Sequence, residues 1–133
     1  MELIDHCKTF FANDRFVKGC GIEIVECREG YAKTQITITD NLLNSGNAVH
    51  GGLYFSIADF TAAVAAFTLG KVAVSTNGNI SYFKNCNTGI LIVEANIISC
   101  GNLLCHADVN VFNGETKLVN AKFEMYRTKQ DSF

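Results

Sequence analysis

Apolar positions near the start of the chain recur with the spacing of a helix. They fall at i, i+1, i+4, i+7 and i+8 from residue 3, so they line one stripe of a helix of about three turns. The residues of this stripe are Leu3, Ile4, Cys7, Phe10 and Phe11. The pattern predicts an amphipathic N-terminal helix.

From residue 22 the period of the apolar positions changes to two, which is the period of a strand. Ile22 and Ile24 share one side of a first run, and residues 28–30 form an Arg-Glu-Gly turn. The second run has one face made of Ala32, Thr34, Ile36 and Ile38. Two alternating runs joined by a short turn predict a β-hairpin.

A polar stretch at residues 40–52, rich in glycine and asparagine, predicts a loop. The next segment, residues 53–70, is apolar on almost every side, and such a helix is either buried centrally or spans a membrane. It is at the short limit for a span, and Asp59 near the bilayer centre would cost about 2.5–3.5 kcal/mol. We therefore expect a central buried helix and no membrane role.

The chain after Gly70 is strand-like throughout. Strands are expected at residues 72–83, 90–98 and 103–112, with turns at Gly101-Asn102 and Asn113-Gly114. The first of them has a polar row made of Ser75, Asn77, Asn79 and Ser81. In a fourth and last strand, the residues expected to be buried are Val119, Ala121, Phe123 and Met125.

The predicted order is a helix, two strands, one long apolar helix and four strands joined by tight turns. Two-residue turns require antiparallel pairing, because a parallel crossover needs a dozen or more residues. One antiparallel sheet curled around one buried helix is an α+β fold. From a length of 133 residues we also expect residues 1–133 to form a single domain.

Composition narrows the function classes. Charged residues are only 18% of the chain and apolar residues 48%, which excludes a disordered chain. A net charge of −2 argues against nucleic-acid binding, and the first residues lack the basic region of a signal peptide, so a cytoplasmic location is expected. The six cysteines include no C-x-x-C pair, so neither a zinc site nor a thioredoxin-type motif is expected, and the thiols should be reduced.

Asp59 is the one carboxylate inside the apolar helix. A buried, unpaired carboxylate is costly, so such a residue is normally neutral, paired or facing a cavity. No Lys or Arg lies three or four residues away in either direction. The alternative interpretation places Asp59 with Ser56 on a polar stripe that faces solvent.

His50-Gly51-Gly52 precedes this helix. Two glycines let the backbone approach a ligand closely, and the first N–H groups of a helix carry partial positive charge that can hold a developing oxyanion. The simpler interpretation is a flexible entry to the helix. Together with Asp59, the donor suggests acyl chemistry, in which a carbonyl is attacked and the N–H takes up the charge.

One helix cannot direct both groups at the same atom. Gly51 and Asp59 are eight positions apart, roughly 12 Å at the helical rise. A two-fold dimer with antiparallel helices would bring Gly51 of one chain near Asp59 of the other.

Residues 44–59 are Asn-Ser-Gly-Asn-Ala-Val-His-Gly-Gly-Leu-Tyr-Phe-Ser-Ile-Ala-Asp. This segment resembles the N-x(5)-H-G-G-x(6)-D signature of hotdog-fold acyl-CoA thioesterases, in the phenylacetate-degradation (PaaI-type) and thioesterase-superfamily-member group. The resemblance extends over most of the chain, from residue 21 to the final strand. The part from H-G-G to Asp is fairly specific, whereas the flanking strands are similar in pattern only.

The resemblance implies a role for each matching position. Asp59 matches the essential carboxylate, which acts as general base or nucleophile, and Gly51 matches the oxyanion donor. Asn44 and His50 match residues that shape and polarise the acyl-carbonyl site. Ser75 matches the serine that positions water, and substrate contacts are also expected from Gly52 and Phe83.

The same resemblance implies hydrolysis of an acyl-CoA to a free acid and CoA by a homo-oligomer. That oligomer is a dimer or a dimer of dimers with active sites at the dimer interface. No metal or other cofactor is expected, since coenzyme A is part of the substrate. The chain departs from many relatives after residue 83, where Lys84, Asn85 and Cys86 replace a proline-containing turn, so the CoA contacts are left open.

Three alternatives compete with this interpretation. One is a hotdog enoyl- or hydroxyacyl-thioester dehydratase, which fits a proline-free chain poorly. Another is an acyl-CoA-binding module without turnover. A third places chemistry at His106, Asp108 and Asn110, but strand alternation favours the solvated side of a hairpin.

Overall fold

The chain folds into three helices and six strands, and the computed structural model describes all 133 residues. A single turn of 3-10 helix at Asp40–Leu42 lies within the loop that precedes the long helix. In chain order the elements are α1 (Leu3–Phe11), α2 (Arg15–Cys20), β1 (Glu23–Arg28), β2 (Tyr31–Thr37), α3 (Gly51–Phe67), β3 (Lys71–Tyr82), β4 (Ile90–Cys100), β5 (Leu104–Asn113) and β6 (Thr116–Asp131).

All six strands belong to one antiparallel sheet in the order β1-β2-β4-β5-β6-β3. The short turns that join β1 to β2, β4 to β5 and β5 to β6 force this pairing, as the sequence predicts. Gly30 and Gly114 take positive φ values of 77° and 62° in two of these turns, a conformation that costs glycine little. The α+β class is confirmed.

The long helix α3 contacts every strand of the sheet. Most of its side chains are buried, including Tyr54, Ile57 and Phe67, and burial of each large apolar side chain contributes about 1.5–3 kcal/mol. The buried Thr61 donates to the Ile57 carbonyl and shares a hydrogen bond of 2.7 Å with Thr34 of β2. The prediction of a central buried helix is confirmed.

The loop that precedes α3 is shorter than expected. Gly51 and Gly52 already belong to the helix, and the helix ends at Phe67 rather than at residue 70. None of the helices in the structure combines the length and hydropathy needed to cross a lipid bilayer.

The N-terminal helix α1 packs its predicted aromatic residues on α3. The ring of Phe10 lies 4.9 Å from that of Phe67, and the ring of Phe11 lies 5.3 Å from that of Phe60. A second short helix, α2, was not predicted. The Asp14 side chain caps it by accepting from the Val17 N–H at 3.1 Å, and Gly21 ends it at a φ of 86°.

A β-bulge changes the facing of side chains along β3. Ser75 pairs with Met125, whereas Asn77 pairs with Glu124, so Thr76 is an extra residue. Ser75 therefore points to the helix side of the sheet, while Asn77 and the residues that alternate with it point to the outer face. The prediction that Ser75, Asn77, Asn79 and Ser81 form one polar row is wrong, because alternation is broken between the first two.

Candidate active site

Asp59 lies on the least buried side of α3, next to the edge strand β3. Gly52 and Phe55 are exposed on this side, and Ser56, Asp59 and Ala63 are half-buried. These five residues share one face of the helix and form what we call the open stripe of α3. In a single copy of the chain, Asp59 and Ser56 thus share a side that solvent reaches, as the alternative interpretation of Asp59 expects. This side also carries the apolar residues Phe55 and Ala63.

The Asp59 carboxylate has one hydrogen-bond donor in the structure, the Ser75 hydroxyl of β3. The bulge after Ser75 makes this contact, because it turns Ser75 toward α3 while the rest of the row faces away. The resemblance implies that Ser75 positions water near this carboxylate; in the structure its hydroxyl bonds the carboxylate directly. The hydroxyl fixes one carboxylate oxygen and leaves the other without a protein partner.

His50 is the N-cap residue of α3. Its Nδ1 accepts a hydrogen bond of 2.8 Å from the Gly52 N–H, so Nδ1 is unprotonated and the proton of the neutral ring is on Nε2. A Cβ at position 52 would lie 2.9 Å from this Nδ1, which explains a glycine there. Because the Gly52 N–H is already bonded to His50, a substrate atom could accept from this N–H only by competing with the His50 ring.

Gly51 is the first residue of α3, and its N–H donates to no group of the protein. This is one of the unpaired N–H groups that every helix start leaves. The Gly51 carbonyl accepts from the Tyr82 hydroxyl at 3.0 Å, which ties the start of the helix to the end of β3. The free N–H is available for an oxygen of a ligand.

A cavity of about 580 Å³ opens beside this N–H. It is lined by Asn44, Val49, Gly51, Gly52, Tyr82, Phe83, Lys84 and Asn85. The Asn44 Oδ1 accepts from Gly46 N at 2.9 Å and Ala48 N at 3.1 Å, so this side chain shapes the loop. Phe83 is 57% exposed and forms an apolar wall. Asn44, Gly51 and Phe83 of the predicted site therefore line one cavity.

The structure does not bring the two halves of the predicted site together within one chain. Asp59 and Ser75 form one half, and the start of α3 with its cavity forms the other. Both Gly51 and Asp59 lie on the same straight element, roughly 12 Å apart along its axis. A single copy therefore holds two half-sites.

Two residues that had no predicted role in the site support this cavity: Asn85 lines it, and Tyr54 bonds to Asn85 from behind. The buried Tyr54 hydroxyl donates to Asn85 Oδ1 at 2.8 Å, and Asn85 Nδ2 donates to the Val49 carbonyl at 3.1 Å. Burial and the neighbouring Cys86 thiol raise the pKa of Tyr54 above its usual range, so its hydroxyl keeps its proton. The only sequence signal was the proline-free stretch Lys84-Asn85-Cys86, where the resemblance implies a proline-containing turn.

The cluster around Asp108 on the outer face of the sheet is structural. Burial raises the pKa of Asp108, but hydrogen bonds from Asn120 and Lys122 outweigh this and hold it below its usual value. His106 lies 3.7 Å from Glu124. The solvated-hairpin interpretation of these strands agrees with this network. All six cysteines are free, and no group of three or more metal-ligating side chains is present.

A family model described as the thioesterase superfamily matches residues 46–120. The match contains His50, Gly51, Asp59 and Ser75 and spans more than half of the chain. The chain belongs to the thioesterase superfamily. Asn44 lies just outside the matched region.

Relatives of known name agree with this assignment. Acyl-coenzyme A thioesterase PaaI of Escherichia coli is 31% identical over 110 residues, which cover 82% of this chain and 79% of that protein. An Archaeoglobus fulgidus protein that carries an esterase name is 32% identical over 133 residues, covering 98% of this chain and 86% of the other. This thioesterase is accordingly a thioester hydrolase.

The fold agrees as well. The structure of the E. coli PaaI protein superposes with a TM-score of 0.92 and 25% identity, covering 97% of this chain and 95% of that one. The thioesterase therefore has the hotdog fold, and the predicted resemblance to the PaaI type is confirmed.

Proposed function

We propose that this thioesterase hydrolyses an acyl-CoA, with Asp59 as general base or nucleophile and the Gly51 N–H as oxyanion donor. The active site is complete only where the start of α3 from one copy meets Asp59 of a second copy. The observation that carries the proposal is the Asp59 carboxylate, which is oriented by Ser75 and lies open on an otherwise apolar helix.

The chemistry follows from the two half-sites. Asp59 either takes a proton from a water that attacks the thioester carbonyl or attacks that carbonyl itself. The carbonyl oxygen becomes negative and accepts from the Gly51 N–H, a type of donor that contributes on the order of 10²–10³ in rate. The C–S bond then breaks, the CoA thiolate takes up a proton, and water supplies the oxygen of the free acid.

In this proposal a second copy of the chain binds at the exposed edge of the sheet. The twelve-residue strand β3 is an edge strand, bonded to β6 alone, and eight of its residues are exposed. A long exposed edge is a template for pairing with another strand. Because Ser75 of β3 contacts Asp59 of α3, a two-fold partner at this edge also lies over the open stripe.

The acyl-CoA substrate is supported by relatives. The E. coli relative is named an acyl-coenzyme A thioesterase. A Streptococcus pneumoniae protein with the same fold, at a TM-score of 0.85 and 24% identity, has a structure with coenzyme A. In this chain the cavity beside Gly51 has Lys84 at its wall, where a phosphate of CoA would find a positive charge.

The test is thiol release from a panel of acyl-CoAs. We expect the wild type to release thiol and Asp59→Asn to lose at least about 100-fold in kcat, since the amide neither takes a proton nor attacks. The matched control is Asp5→Asn, the same change at an exposed carboxylate of α1, which should keep full activity.

Three outcomes contradict parts of the proposal. Binding of CoA esters without thiol release would indicate a binding module. A change in enoyl absorbance without free thiol would indicate a dehydratase. Full activity of Asp59→Asn would remove Asp59 from its assigned role.

A further inference from the structure

The turn that carries the Gly51 N–H is held by hydrogen bonds to other segments of the chain. Glycines at positions 51 and 52 have no side chains to anchor it. The Tyr82 hydroxyl holds the Gly51 carbonyl, the Leu42 carbonyl holds the His50 N–H, and Val49 supplies two further bonds. The Val49 N–H donates to the Cys86 carbonyl at 2.9 Å, and the Val49 carbonyl accepts from Asn85 Nδ2 at 3.1 Å. Both backbone groups of Val49 are therefore bonded to the segment that follows β3.

Asn85 sits at the centre of this arrangement. Its Oδ1 accepts from the Cys86 N–H at 2.8 Å and from the Tyr54 hydroxyl at 2.8 Å. The orientation of the amide is fixed by its partners, because Cys86 N only donates and the Val49 carbonyl only accepts. One side chain thus joins the approach to α3, the first turns of α3 and the segment after β3.

The segment after β3 needs such a tie. It has no proline and no regular secondary structure between Tyr82 and Ile90. Its first residues are held by bonds from the N–H groups of Phe83 and Lys84 to the Leu118 carbonyl. Beyond these bonds, Asn85 and Cys86 connect the segment to the start of α3.

We propose that Asn85, itself held by Tyr54, is a positioning residue that sets the place of the Gly51 N–H against the thioester carbonyl. The inference rests on the proposed function, since it assigns a support to the oxyanion donor named there. Asn85 touches no reacting atom. It acts through the Val49 carbonyl, two residues before the donor.

The expected signature is a fall in kcat with little change in KM. An oxyanion forms only in the transition state, so a misplaced donor weakens transition-state binding and leaves ground-state binding intact. A displacement of about 1 Å is enough to cost up to about 100-fold. We expect Asn85→Ala to lose roughly 10- to 100-fold in kcat.

Two further variants separate positioning from simple support. Asn85→Asp keeps both acceptor bonds but places an oxygen against the Val49 carbonyl, so it should lose as much kcat as Asn85→Ala. Tyr54→Phe removes one hydroxyl and should lose less. Because Tyr54 acts through Asn85, the Tyr54→Phe/Asn85→Ala double variant should be no slower than Asn85→Ala alone.

The matched control is Asn87→Ala, an exposed asparagine of the same segment whose side chain makes no hydrogen bond in the protein. It should keep the wild-type kcat. Asn85→Ala removes three hydrogen bonds and leaves the buried Tyr54 hydroxyl without its oxygen acceptor, so its Tm should fall, and kcat is compared at a temperature where circular dichroism shows that both variants are folded. Hydrogen exchange of the amides at residues 49–52 should be faster in Asn85→Ala and unchanged in Asn87→Ala.

The results separate the two proposals. Suppose that the wild type releases thiol. An unchanged kcat in Asn85→Ala, or full activity in Asn85→Asp, then overturns the positioning role and leaves the proposed function standing. A rise in KM at constant kcat also overturns it, since that would make Asn85 a substrate contact. Absence of thiol release by the wild type overturns the proposed function, and the positioning role with it.

Discussion

At the scale of single residues, the carboxylate of Asp59 depends on one hydroxyl for its orientation. Ser75 donates to Oδ1, and no other protein group bonds to this side chain. A half-exposed aspartate would otherwise sample several rotamers, and the productive one would be only part of the population. The hydroxyl therefore prepares the carboxylate for its reaction.

We expect Ser75→Ala to lose roughly tenfold in kcat with little change in KM, because the carboxylate is no longer held in place. The measurement is thiol release at saturating acyl-CoA. The control is Ser81→Ala, the same change on the outer face of the same strand, which should be neutral. A loss in Ser81→Ala equal to that in Ser75→Ala would mean that the strand, and not the hydroxyl, is responsible.

The residues of the candidate site divide into those that sequence finds and those that it cannot. Asn44, His50, Gly51 and Asp59 lie within one short segment, so their spacing is visible. Asn85 reaches the turn from 36 positions away along the chain, measured to Val49. An uncharged side chain at that separation has no local pattern, and only the fold shows its partners.

At the scale of elements, the shape of β3 depends on a glycine. Gly78 faces α3, where an added Cβ would lie 2.7 Å from the ring of Phe123 and 3.0 Å from that of Phe55. These two rings contact each other edge to face at 5.4 Å, and Phe123 is buried. The rings occupy the space that a side chain at position 78 would need.

We expect Gly78→Ala to lower the free energy of unfolding by about 1–3 kcal/mol, because one of two packed rings must move. Gly19→Ala should act in the opposite direction and raise it by about 0.5–1 kcal/mol, since its Cβ would meet nothing in α2. Urea unfolding of both variants checks the pair. A stabilising Gly78→Ala would show that the rings are loosely packed.

Helices and strands could be predicted where the periodic run of apolar residues is long. The prediction failed where a capping residue forms a short helix or an extra residue changes the facing of a strand. The long helix and the strands β3, β4 and β5 extend over ten residues or more and were placed to within a few positions, whereas for β6 only the alternation of residues 119–125 was predicted. The helix α2 is only six residues long and depends on Asp14 and Gly21. The bulge after Ser75 adds one residue but leaves the polar pattern of the sequence unchanged. Alternation alone therefore placed Ser75 and Asn77 on the same face of the sheet, which is wrong.

At the scale of the whole molecule, a single copy leaves the surfaces of the proposed active site exposed. The edge of β3, the open stripe of α3 and the Gly51 N–H all face away from the chain's own core. Val74 and Phe55 on these surfaces are 51% and 37% exposed. A second copy across β3 would cover them and join the two half-sites.

A mixing experiment tests this assembly directly. In Gly51→Pro the proline removes the donor N–H, and proline suits the first position of a helix. His50 already has the extended ψ of 133° that precedes proline. The new Cβ would lie 3.3 Å from the Tyr82 hydroxyl, which is on an exposed side chain and can give way. The variant should therefore fold and be inactive.

Asp59→Asn chains keep an intact Gly51, and Gly51→Pro chains keep an intact Asp59. If each site takes one half from either copy, a mixed dimer contains one intact site and one doubly defective site. Random pairing of equal amounts makes half of the dimers mixed, so about a quarter of the wild-type activity should return after subunit exchange. If both groups of a site came from the same chain, mixing two inactive variants would restore nothing, and the two-copy site would be disproved.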